Sequence, residues 1–192
     1  MSFKGLIQAG LIVVALGLLA GCAPWTVVGG PYQDSDLGFT VDLPHGWHKS
    51  NMAKDMLVIT RDGLALDLIT IGREDIEKKE EEGGAIKRLT KGMLPQEASD
   101  VIADRIRSDT SLMNVQLLEN IPADIGGQKG YRLTYSYRTA SGLPKKVVSY
   151  GFLLGKWLYS ISYEAPVRHY FDAYFSVFEK VKGSFSVGGT EE

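Results

Sequence analysis

Three histidines, one cysteine and a carboxylate set among leucines are the residues of this chain whose chemistry reaches beyond packing. Asp67 stands in Leu66-Asp67-Leu68-Ile69, and in a strand it would share a face with Ala65, Ile69 and Ile71. A carboxylate buried there must accept hydrogen bonds, meet a cation or stay protonated. A lone carboxylate names no reaction, so a hydrogen bond or ion pair with a neighbouring strand is favoured over a ligand or catalytic role. His45 and His48, with His169 as a distant third, are the nearest approach to a metal set. Two histidines three apart share a zinc only in a suitable turn and with ligands from elsewhere. These two flank Gly46-Trp47 at the end of a strand pattern, where surface histidines are ordinary. Neither a metal nor a cofactor is expected.

Aromatic residues form a second candidate. Tyr131, Tyr135 and Tyr137 alternate with polar residues, as do Trp157, Tyr159 and Tyr163 in a later stretch. Paired aromatics stabilise sheets, and tyrosines also make good binding surfaces. Under a helix this face is core, which is the favoured reading; left open, it is the best ligand or partner face in the chain. Arg132 and Arg138 lie on the opposite side and make it locally cationic. Signatures of hydrolases, metalloproteases and nucleotide-binding loops are missing: there is no G-x-S-x-G, no H-E-x-x-H and no P-loop. Gly126, Gly127 and Gly130 precede a strand pattern, so they read as a turn and not as a dinucleotide fingerprint.

The elements that must position these residues begin after an export signal. Residues 1–21 hold a single charge, Lys4, then an apolar run and small residues. A basic start, an apolar core and small residues before a cut describe a secretory signal peptide. The run is short for a bilayer span of about 20 residues. Leu19-Ala20-Gly21-Cys22 resembles the lipobox of bacterial lipoproteins at all four positions. That resemblance implies cleavage between Gly21 and Cys22 and a diacylglycerol on the Cys22 sulfur. Cys22 is the only cysteine, so neither a disulfide nor thiol catalysis is open to the mature domain. In that class an Asp after the cysteine favours the inner membrane. Ala23 stands there instead, which implies the outer membrane, facing the periplasm.

Residues 22–36, with Pro24, Gly29, Gly30 and Pro31, read as the lipidated N-terminus and a linker. Trp25 either rests at the lipid interface or is a stray linker residue. The domain follows over residues 37–187, and residues 188–192 are a tail. At 192 residues, 44% hydrophobic and 23% charged, the chain fits one domain with a core of its own. Its net charge of −2 and the lack of a basic stripe argue against nucleic acid as a partner.

Within the domain, Phe39, Val41 and Leu43 alternate as a half-buried strand stopped by Pro44. Residues 56–60 and 64–71 read as a hairpin, the second strand central because it is apolar on both faces. The Glu- and Lys-rich stretch 73–84 reads as a solvated loop or frayed helix and not as an ion site. Pro95 opens a helix with Ala98, Val101, Ile102 and Ile106 on one face. Residues 115–120, 131–138, 146–154 and 157–163 read as strands, with Gly155-Lys156 a two-residue turn. Pro166 opens a second helix carrying Tyr170, Phe171, Tyr174, Phe178 and Val181, and Phe185 with Val187 adds a short last strand or covers an edge. Consecutive hairpins with few helices imply an α+β domain, an antiparallel sheet flanked by helices.

Gly38-Phe39-Thr40-Val41-Asp42-Leu43-Pro44 followed by Gly46-Trp47 resembles the opening of PsbP-like domains, and the order of elements to residue 187 is similar too. The resemblance implies an α/β/α sandwich from a family largely without enzymatic activity, and with the lipobox it points to the family's envelope lipoproteins of the DcrB-like branch. The sequence thus leads to a non-enzymatic, lipid-anchored periplasmic factor that meets the membrane through Cys22 and a protein partner of the envelope. A binding module for a small or lipidic ligand on the aromatic face is the alternative, and an envelope hydrolase the remote one.

Overall fold

The computed structural model describes residues 24–78 and 88–188. Gly21 and Cys22 with the rest of the signal segment, residues 189–192 of the tail and residues 79–84 of the Glu- and Lys-rich stretch lie outside them. Nine strands make one sheet: β1 (Trp25–Asp34), β2 (Phe39–Ser50), β3 (Met56–Thr60), β4 (Leu68–Asp75), β5 (Met113–Ile125), β6 (Gln128–Arg138), β7 (Pro144–Leu154), β8 (Trp157–Pro166) and β9 (Ser186–Val187). Its order is β1-β2-β3-β4-β8-β7-β6-β5, every pairing is antiparallel, and β9 adds to β2. Helix α1 (Pro95–Ser108) packs on one face and α2 (Tyr170–Ser184) on the other, the α/β/α arrangement that the family resemblance implies. No helix among the described residues is long and apolar enough to cross a membrane.

Each face buries what the sequence alternates. Under α2 lie Ile59, Ile69, Ile71, Val148, Phe152, Ile161 and Tyr163, closed by Phe171, Phe178 and Phe185. Under α1 lie Tyr131, Leu133 and Leu158, closed by Ala98, Val101 and Leu89. Pro95 sits in the first turn of α1, where its missing N–H leaves nothing unpaired, and Glu97 reaches back to accept from the Leu94 N–H at 2.9 Å. Gly151 leaves room for the Tyr131 ring: a Cβ there would collide with that side chain, so the aromatic packs flat on the neighbouring strand.

Four expectations change. Residues 25–34 are a strand and not a linker, paired along β2 from Trp25↔Ser50 to Asp34↔Phe39. Gly30, at φ +82°, serves the bulge where the register shifts after Val28, and Pro31 is tolerated because β1 is an edge. Pro44 does not stop β2. Residues 44–46 fall in the gap of the register, where the missing N–H costs no ladder bond, and the strand resumes at Trp47. The β3–β4 hairpin is real, but residues 61–67 form its loop, so Ala65 is exposed and Asp67 stands off the strand. Pro166 closes β8 opposite Lys145, and the second helix starts only at Tyr170, after a reversal at His169 with φ +69°.

Candidate functional site

Asp67 is completely buried, and both of its carboxylate oxygens are used. Oδ1 accepts from the Thr60 hydroxyl at 2.7 Å and the Arg61 N–H at 2.6 Å; Oδ2 accepts from the Asp62 N–H at 3.0 Å. The Thr60 hydroxyl in turn accepts from the Gly63 N–H at 2.9 Å. The carboxylate therefore stands in for a missing strand pairing and folds the β3–β4 loop around itself. Its partners include the end of the neighbouring strand, as the sequence favours, together with backbone of the same loop.

The histidines do not converge. His45 lies in the bend of β2, His48 pairs with Thr60 and Val27, and His169 is exposed before α2. Among the described residues no three metal-ligating side chains cluster.

The aromatic series divides between the two faces of the sheet. Tyr131 packs under α1, whereas Tyr159 and Tyr163 pack under α2. Tyr131, Tyr137, Tyr159 and Tyr163 are buried and Tyr135 half-buried, so these residues do not form one open platform. Burial pushes the Tyr135 phenol up to about 12 and raises Tyr131, Tyr137 and Tyr163 further, so none is poised as a base or nucleophile at neutral pH. Tyr137 also donates to Glu164, which pairs with the nearly buried Lys145 at 2.6 Å. Arg132 lies on the α2 side, paired with Glu119 at 3.3 Å, and Arg138 donates to the Gly142 carbonyl at 3.0 Å.

Trp157 behaves differently. It is half-buried at the start of β8 with the Arg73 guanidinium 4.1 Å from its ring centre and the Lys156 ammonium at 4.8 Å. Arg73 is fixed from behind by donating to the Asp36 carbonyl at 2.7 Å. Lys156 pairs with Asp75 at 2.8 Å, which, with the Glu77 N–H, holds that carboxyl below its ordinary range. These groups form one wall of an open groove of about 700 Å³, whose floor is Leu37, Met56 and Trp157 and whose rim carries Asp36, Lys54, Asp55, Glu74 and Lys78. A second groove of about 380 Å³ adjoins it through Asp36, Lys54 and Met56 and runs to Tyr32 and Lys49. Burial and then the neighbouring Asp34 push the Tyr32 phenol up to about 12.

This surface combines an apolar floor, one aromatic ring and charges of both signs at a single end of the sheet. Such a mixture suits a protein surface or a zwitterionic group, because neither sign dominates. Of its residues only Trp157 was among the candidates of the sequence. Arg73 and Asp75 sit in a charge-dense stretch that reads as solvent-facing, and their placement against Trp157 depends on the pairing of β4 with β8.

No family model and no curated protein matches the chain. Solved structures do. The PsbP protein CyanoP of Synechocystis superposes with a TM-score of 0.54 at 17% identity, over 88% of this chain and 95% of that one. The Ran-binding protein Mog1p of Saccharomyces cerevisiae gives a TM-score of 0.55 at 10% identity, over 86% of this chain and 98% of that one. The fold is therefore PsbP/Mog1-like. At these identities the likeness is one of fold.

Proposed function

We propose that this protein is a lipid-anchored, non-enzymatic accessory or interaction factor of the cell envelope, held by acyl chains on Cys22 and facing the periplasm from the outer membrane. One observation carries the reading: β1 begins at Trp25, three residues after the lipobox-like cysteine, so the folded domain directly abuts the anchoring point. The PsbP/Mog1-like fold is compatible with such a role. The mixed-charge groove around Trp157 is the surface that meets the partner. Asp67 supports the non-enzymatic reading, since its three donors leave it structural work and no free edge toward a cleft.

The small-ligand alternative required an open aromatic face, and the burial of Tyr131, Tyr137 and Tyr159 removes that platform. A photo-crosslinking residue in place of Lys54, on the groove rim, tests the proposal in cells. A single specific protein adduct is expected, lost when Cys22→Ala leaves the chain as unprocessed, unacylated precursor. Adducts equal to those from Leu143, exposed in the β6–β7 turn at the opposite end of the strands from Trp157, would contradict it.

A further inference from the structure

We infer that the domain has no stalk and rests on the bilayer itself, with the loop between β2 and β3 lodged in the headgroup layer and Met52 as its apolar contact. The inference rests on acylation of Cys22. The partner is a lipid surface, fixed by where the chain leaves the fold.

Pro24 is already tied down. Its carbonyl accepts from the Asn51 N–H at 2.9 Å, and the Asn51 amide donates to the Thr26 hydroxyl at 2.8 Å. Between Cys22 and Pro24 lie two peptide steps, which span at most about 7 Å. The headgroup layer on each side of a bilayer is itself only about 5–7 Å thick. With acyl chains on Cys22, Pro24 and the loop bonded to it must lie in or against that layer. A fourteen-residue linker would have left the domain free to lift and turn; the pairing of β1 with β2 removes that freedom.

The surface presented there fits the location. Met52 is 77% exposed at the tip of the loop and Val27 65% exposed on β1, with Trp25 half-buried at the start of that strand. Large apolar side chains so exposed are costly in water and favoured at a lipid interface, and an indole prefers the headgroup level. Lys54 and Asp55 follow with opposite charges, so contact does not depend on anionic lipid. The same two residues line the groove at Trp157, which therefore opens at membrane level, toward partners in or on the bilayer.

Lipidated protein carrying Met52→Cys or Leu64→Cys provides the test, since acylated Cys22 leaves the new thiol as the only reactive one. Leu64 is exposed in the loop at the opposite end of β3. Each variant is labelled with bimane and reconstituted into phosphatidylcholine vesicles containing brominated lipid. The label at position 52 is expected to be quenched several-fold more than that at 64, with no change on adding salt or phosphatidylglycerol. Equal quenching at the two positions, in protein whose intact mass includes acyl chains on Cys22, would overturn the docking. An unmodified Cys22 in the same mass measurement would instead refute the anchor, and the docking with it.

Discussion

Replacing Asp67 measures how far a single buried carboxylate organises the β3–β4 loop. Asp67→Ala removes one acceptor from each of three donors: the Thr60 hydroxyl and the backbone N–H groups of Arg61 and Asp62. A hydrogen bond to a charged group contributes about 1.5–3 kcal/mol net, but the three share one side chain and the loop can partly open to water, so the sum is capped at about 4 kcal/mol. Asp67→Asn keeps the volume. Its oxygen can serve the Thr60 and Arg61 side, which leaves the amide facing the Asp62 N–H, donor to donor, at a cost of about 2 kcal/mol. For a domain of this size each kcal/mol moves Tm by about 3 °C, giving losses of about 6 °C for Asn and about 12 °C for Ala. Thr60→Val should be less than additive with Asp67→Ala, because the two share a bond. Thermal unfolding followed by circular dichroism reads all of these. An Asn variant with the Tm of the parent would refute the assignment of Asp67 to loop structure and return it to the candidates for chemistry.

Other consequences follow from the buried polar groups. Lys145→Met leaves Glu164 without its cation in a site where that lysine is 7% and that glutamate 24% exposed. Because Glu164 keeps some water and its bond from Tyr137, the loss is set at about 2–3 kcal/mol, below the range for a fully buried orphan; urea denaturation at matched m-values checks it. The tyrosines predict an alkaline limit. Tyr135 is raised to about 12 from its ordinary 10.0, and Tyr131, Tyr137, Tyr150 and Tyr163 are raised as well, all chiefly by burial. The folded state thus holds protons that the unfolded chain releases above pH 10, so this stability is complete below pH 10 and falls as pH rises toward and past 12. Phenolate absorbance should therefore rise together with loss of ellipticity. A gradual rise in a still-folded protein would show that the rings are open to solvent.

Strand periodicity carried most of the fold. Alternation at Phe39–Val41–Leu43, along β6 and around the Gly155-Lys156 turn predicts strands that the structure contains, because side-chain period and burial coincide there. Legibility failed where Gly or Pro does something other than end an element. Pro44 falls in a register gap, Gly30 shapes a bulge and Pro166 closes a strand, and each depends on the register with the partner strand, which side-chain periodicity does not carry. The aromatic series misled for a related reason. Alternation fixes a face within one strand, but which face of β6 matches which face of β8 is set by the intervening β7, so Tyr131 and Tyr159 end on opposite sides. Asp67 stood out as the one carboxylate among apolar neighbours, and its hydrogen-bonded role was legible from that alone. The groove was not, since Arg73, Asp75 and Trp157 meet only through the pairing of β4 with β8.

The proposed role depends on the link between Cys22 and the membrane, and the intact mass of protein extracted from membranes tests that link most directly. A chain that begins at Cys22 and carries acyl groups is predicted, with Cys22→Ala accumulating as unprocessed precursor. Recovery of an unmodified chain that still begins at Met1 would contradict the account.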